Sequence, residues 1–192
     1  MRSSIAFLAL AITTAGSASA EMADRAALEA LHGTFHSTGA ETWYGGYGTR
    51  EFVFANGRWS LIFTHALDEA MTQRTFQFRT GGGYSVLERS AEVPGAFHTV
   101  FDEDWKHVTL LTPEADVVAA LGMVDCGLTF NLEVDISNSG CAAWRPVKDC
   151  RQDHDLLAIS DQGLHFGVRP ADNDMCTADK VPSKLLPAVV AR

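Results

Sequence analysis

Beyond its first twenty residues the chain has no apolar run near the roughly eighteen residues that a membrane-crossing helix needs, so no integral helical span is expected there. It is also poor in positive charge: 15 Lys+Arg stand against 24 Asp+Glu, a formal net charge of −9. That balance argues against nucleic acid and against anionic membrane surfaces as partners. The charges are scattered, with no run long enough for a disordered tail, and there is no internal repeat or low-complexity linker. No G-x-S-x-G, no H-E-x-x-H and no Ser-His-Asp order occurs, and the cysteine spacings follow no C-x₂-C pattern. His32 and His36 are four apart, but Gly33 and the β-like "TFHS" put them on a strand, about 13 Å apart at ~3.3 Å per residue, too far to share one ion. The expectation is a protein that is not an enzyme, with no catalytic residue, no metal and no cofactor.

What is present begins with an address. Arg2, the apolar run "IAFLALAI" (Ile5 to Ile12) and the small residues Ala18-Ser19-Ala20 read as a secretory signal peptide over residues 1–20. No Cys follows the cleavage site, so lipid anchoring there is not supported. The mature chain, 21–192, is long enough for one domain with a real core and is expected in the periplasm or outside the cell. Its four cysteines, Cys126, Cys141, Cys150 and Cys176, are an even count in an exported chain and point to disulfides. Three pairings are open. All four lie in the last third, so the bridges staple that third.

"TREFVFANGRWSLIF" (Thr49 to Phe63) is the clearest element. Asn56-Gly57 is the preferred pair for a two-residue type I′ turn. It sets Ala55 opposite Arg58, Phe54 opposite Trp59 and Phe52 opposite Leu61, and period-two alternation gathers Phe52, Phe54, Trp59, Leu61 and Phe63 on one face. Elsewhere the chain reads as short alternating segments: "TFHS", "TFQFRT" (Thr75 to Thr80), "YSVLER" after a Gly81-Gly82-Gly83 turn, "FHTVF", "HVTLLT", "TFNLEVDI" (Thr129 to Ile136), and "DLLAIS" joined through Asp161-Gln162 to "GLHFGV". Helices are expected over Ala23 to Gly33, with Asp24 as N-cap, and from about Pro113 to Leu121, capped by Thr112. In that second helix Val117, Val118 and Leu121 share the face that should dock. Many short strands with two helices mean an antiparallel barrel or sandwich, and helices so placed suit a closed barrel with a plug or lid. Asp172 and Asp174 read as Asx turns beside Cys176. Glu41 and Arg50 flank "WYGGYG" as a charge pair closing that loop, or with Arg50 as a contact for a ligand headgroup at a cavity mouth.

In this order the pieces resemble the APC-down-regulated (APCDD) domain family: "LHGTFHS" with Glu41, "TREFVF" followed by Trp59, Asp68 before "TFQF", "GGGYSV", "VPGAF", "VTLLTPEA", "DCG", "SGCAAW" and "FGVRPADNDMCT". The match covers about Leu31 to Leu185. Two cysteines of the animal domains are replaced here by Ala40 and Met71, and Val181-Pro182 stands where the family often has Arg-Pro. A lipocalin is the nearest other likeness, through "GTF" (Gly33 to Phe35), with Phe where lipocalins carry Trp. The resemblance implies a mainly β, antiparallel calycin-like β-barrel with a short N-terminal helix, one helix between strands and an apolar pocket, which in animal members is associated with an acyl group. It also implies the pair Cys126–Cys141. With Cys150–Cys176 this gives sequential pairing, which closes the shortest loops.

Two roles follow. In the first the protein binds a hydrophobic small molecule, an acyl chain among the candidates, and Arg50, Phe52, Phe54, Trp59, Leu61, Phe63, Phe76 and Phe78 line the site. The ligand inserts between Phe54, Trp59 and Phe76, and the Pro113–Leu121 helix or the Trp43–Gly48 loop gates it. In the second the same residues fill a dry core and the outer surface engages a protein partner or a second copy.

Overall fold

The computed structural model describes residues 24–192. The expected leader, residues 1–20, lies outside the described residues.

Among the described residues, eleven antiparallel strands form one sheet: β1 Gly33–Ser37, β2 Glu41–Trp43, β3 Gly46–Ala55, β4 Arg58–Ala66, β5 Arg74–Arg89, β6 Phe97–Asp102, β7 Trp105–Leu110, β8 Glu133–Asp135, β9 Gln152–Ser160, β10 Gly163–Phe166 and β11 Val189–Ala191. Eight of them close on themselves in the order β1-β3-β4-β5-β6-β9-β10-β11 and back to β1. This is the mainly β, calycin-like barrel expected from the chain. Closure removes the unpaired edges that an open sheet would present. β2 hangs on β3, and β7 with β8 branches from the first half of β5.

The β3–β4 hairpin has the register that its turn demands: Ala55 faces Arg58, Phe54 faces Trp59 and Phe52 faces Leu61. Asn56 and Gly57 both take positive φ, 53° and 71°, as a type I′ turn requires. The β9–β10 hairpin likewise turns at Asp161-Gln162, with Ser160 opposite Gly163.

Gly81-Gly82-Gly83 is not a turn. It lies inside β5, which runs unbroken for 16 residues. A Cβ on Gly81 would stand 2.7 Å from the Trp59 carbonyl oxygen, and one on Gly82 would strike the Asp102 carbonyl oxygen. The glycines let neighbouring backbones close in where β5 passes from pairing β7 to pairing β6. β6 and β7 run in succession along β5 and part at Glu103-Asp104, β6 turning to β9 and β7 to β8. The expected strand Thr129 to Ile136 shrinks to β8, with Phe130 held by a single bridge to Leu110. β11, unanticipated in the sequence, supplies the ring's last strand from the C-terminal tail.

The helix before β1, α1, covers residues 24–29 among those described. Leu28 and Leu31 plug one end of the barrel, and the Tyr84 hydroxyl donates to the Leu28 carbonyl at 2.9 Å. The second helix, α2, is Ala115–Ala120, shorter than expected, with Glu114 rather than Thr112 at its N-cap. Thr112 contributes through its hydroxyl, which accepts from the Glu114 amide at 3.2 Å. Val118 and Leu121 pack on a core cluster with Phe76, Phe78 and Met123, whereas Val117 does not join it. The docked stripe is therefore narrower than the i, i+1, i+4 reading. The bridges are Cys126–Cys141 and Cys150–Cys176. No helix among the described residues is long and apolar enough to cross a membrane.

Candidate functional site

Two apolar clusters fill the barrel. One, around Phe52, Phe54, Trp59, Phe97, Phe101 and Phe166, lies toward the α1 plug. The other, around Trp43, Phe63, Phe76, Phe78 and Trp144, lies toward the disulfide-bonded loops. Leu61 touches both. At their seam is a cavity of about 50 Å³, walled by rings of both clusters. Room of this size suits a few water-sized groups; drug-sized ligands occupy about 300–1,000 Å³.

Of the expected site residues, Arg50, Phe52, Trp59, Leu61, Phe63 and Phe78 face this cavity. Phe54 and Phe76 do not. Phe54 is fully buried edge-to-face against Tyr84 and Phe35, and Phe76 stacks on His65. β3 explains the difference: Arg50 and Phe52 sit at the seam, while Phe54 lies one step nearer the plug.

The cavity also has a polar wall, formed by Arg50, Glu103, Asp153, Asp155, Arg169 and Asn173. The strand frame turns these groups inward. Phe97, Thr99 and Phe101 alternate into the barrel, and the next step of that frame is Glu103. Asp153 and Asp155 precede Leu157 on the inner face of β9.

Among the described residues, the buried Arg50 and Lys106 and the partly buried Arg169 each have a carboxylate partner. Arg50 makes a two-pronged pair with Glu41, at 2.9 Å from Nε and 2.7 Å from Nη2, and Nη2 also donates to the Pro187 carbonyl at 3.0 Å. The Glu41–Arg50 pair thus closes the β2–β3 hairpin, and the "WYGGYG" segment is that hairpin, with a two-residue turn at Tyr44-Gly45, rather than an open loop. Lys106 pairs with Glu103 at 2.6 Å and donates to the Arg145 and Cys150 carbonyls. Arg169 pairs with Asp153 at 2.6 Å. Asp155 has no such cation among the described residues; its Oδ1 accepts the amides of Leu156 at 2.7 Å and Gly167 at 2.9 Å. Burial pushes its carboxyl up to about 7. Burial, then the nearby Asp153, raises Glu103 to about 7 as well, against the pull of Lys106. Burial pulls Arg169 down, but Asp153, then Tyr44, Asp155 and Glu103 together outweigh it and hold the guanidinium above its ordinary value. The one nitrogen of Arg50 left over, Nη1, is buried with no hydrogen-bond partner among the described residues.

Tyr44 lines the cavity and is itself partly exposed. Its hydroxyl donates to Asn173 Oδ1 at 3.0 Å, and the same oxygen accepts from Arg169 Nε at 2.6 Å. Tyr44 and Asn173 both sit in the left-handed region, at φ 48° and 57°, where a bulky Tyr is rarely found. Outside this latch lies a groove of about 140 Å³ that shares Trp43, Tyr44, Arg169 and Leu186 with the inner cavity. Those four side chains are the partition between the two spaces. Helix α2, expected as one possible gate, does not line either.

Sequence reasoning missed Glu103, Asp153, Asp155, Arg169 and Asn173 as site residues. The "FGVRPADNDMC" segment held two of them, but its acids read as turn-formers, and Asp172 and Asp174 do make those turns. The sequence frame that would have found Glu103 is the alternation from Phe97.

Comparison of the chain with protein-family models and with curated proteins found no match to either.

Proposed function

We propose that this protein is a single-domain, exported barrel of the APCDD type that binds a small apolar molecule at the seam of its two aromatic clusters, and that its role is binding rather than catalysis. The barrel fold is compatible with ligand binding, and the paired cysteines suit an oxidising compartment outside the cytoplasm. Volume alone carries little weight. At ~24 cal/mol per Å³, a dry void of about 50 Å³ costs only ~1 kcal/mol, which a core tolerates. The observation that carries the reading is the partition. A Tyr44–Asn173 latch, with Tyr44 set at positive φ by the Tyr44-Gly45 turn, stands between an aromatic-walled cavity and an outer groove, and its release would join the two into room for a ligand. An acyl chain longer than a few carbons would fit only with the latch open.

The same small volume favours one other reading, a packed barrel acting as a protein-interaction module. Titration with straight-chain methyl esters of six to twelve carbons separates them. Trp43, Trp59 and Trp144 line the cavity, so binding there changes tryptophan fluorescence and saturates at one ligand per chain. The Tyr44→Phe variant, lacking the latch hydroxyl, should bind and release faster. If no ester binds below about 1 mM and xenon finds no interior void, the interior is packed and the interaction-module reading replaces this one.

A further inference from the structure

We propose that the cavity's polar end is a subsite for one neutral acceptor oxygen of an apolar ligand (a ketone, ester or amide carbonyl, or an ether), received by Arg50 Nη1, and that it disfavours a carboxylate. This rests on the ligand-binding reading above and names the chemistry of what that site takes.

Arg50 is 4% exposed, and its Nε and Nη2 are committed to Glu41 and the Pro187 carbonyl. Nη1 is a buried N–H donor without a partner among the described residues, on a side chain that lines the cavity. Leaving such a donor unmade costs free energy that an acceptor in the cavity would recover. The guanidinium carbon stands 6.0 Å from the Phe52 ring centre and 5.9 Å from that of Phe166, and the two rings stack at 4.0 Å beside it. A ligand oxygen reaching Nη1 would therefore bring its apolar body among aromatic walls.

The charge inventory decides between an anion and a neutral acceptor. The cations at the polar end are Arg50, Lys106 and Arg169, each already paired with its own carboxylate, Glu41, Glu103 and Asp153. Asp155 is a fourth carboxylate with no cation of its own among the described residues. A carboxylate ligand would be a fifth acid among three cations, desolvated without a counter-charge. What Arg50 has to spare is one hydrogen bond, not its charge.

Toluene, acetophenone and benzoate share one ring and differ in the group at issue: none, a neutral acceptor, an anion. Their dissociation constants for the whole protein are measured by NMR titration at pH 8. Acetophenone should bind roughly three- to tenfold tighter than toluene, the worth of one net hydrogen bond, and benzoate should bind weakest. Arg50→Lys keeps a cation opposite Glu41 but removes the second terminal nitrogen. It should erase the preference, bringing the ratio of acetophenone to toluene affinity to about one. Equal binding of toluene and acetophenone by the wild type, or tightest binding of benzoate, overturns the subsite while leaving the ligand-binding reading standing. Binding of none of the three at millimolar concentration overturns both. Should Arg50→Lys fail to fold, the wild-type order of the three ligands decides alone.

Discussion

Replacing Asp155 with Asn tests the polar wall through its effect on stability. The carboxyl is 5% exposed and burial lifts it from 3.8 to about 7. A carboxyl whose folded value lies above its unfolded one holds its proton more tightly in the folded state. Its stabilising contribution is complete below about pH 4 and is lost as pH rises through about 7. At ~1.4 kcal/mol per pH unit, the gap from 3.8 to about 7 amounts to roughly 4 kcal/mol between acid and alkaline solution. Asn offers the same oxygen to the Leu156 and Gly167 amides but does not titrate. Wild type and Asp155→Asn should therefore be within ~1 kcal/mol of each other at pH 4, where Asp155 is a neutral acid, and diverge above it. By pH 8 the variant should be the more stable by roughly 2–4 kcal/mol. Glu103 drives the same trend, and His65, which burial holds below its ordinary value, opposes it. Both are present in the two proteins, so the difference isolates Asp155. Urea unfolding followed by tryptophan fluorescence at pH 4, 5, 6, 7 and 8 measures it. Two pH–stability curves that run parallel would refute the reasoning.

Two further pairs of substitutions probe the frame around the cavity. Gly82→Ala sets a Cβ against the Asp102 backbone and should cost several kcal/mol, whereas Gly83→Ala meets only the Asp102 side chain at 3.3 Å and should cost under ~1 kcal/mol; thermal melts of the pair check the contrast. Val118→Asp puts a carboxylate against the Met123 cluster and should lower stability by ~2–3 kcal/mol, while Val117→Asp, outside that cluster, should lower it by less than half as much; urea midpoints compare them.

Much of the strand pattern was legible because it is local. Asn56-Gly57 dictates its turn and therefore the register of every pair in the β3–β4 hairpin. The alternation of Phe52, Phe54, Trp59 and Phe63 assigns their face wherever the hairpin goes. Cys126 and Cys141 flank one short segment, as Cys150 and Cys176 flank another, so sequential bridging was the economical choice. Of the candidate site, Arg50, Phe52, Trp59, Leu61 and Phe63 could be named from that same hairpin, whereas the rings of Phe101, Trp144 and Phe166 could not. What lay beyond reach depends on partners distant in the chain. Gly81-Gly82-Gly83 carries the composition of a turn, yet the approach of Trp59 and Asp102 makes it the middle of a strand. Val189–Ala191 is three residues with no pattern of its own, and becomes the closing strand only because β1 and β10 present edges to it. Asp153, Asp155 and Glu103 are ordinary acids in sequence. Closure of the barrel buries them, and burial, which no local window contains, makes a polar wall of acids that read as solvated in the open chain. The sequence by itself determined the β3–β4 and β9–β10 hairpins, the faces of the former and the bridged third of the chain, because backbone preferences and side-chain alternation act over a few residues. The tertiary structure alone decided the ring's order, the seam between the clusters and the unpartnered Arg50 nitrogen, because each arises where segments far apart in the chain exclude water from one another.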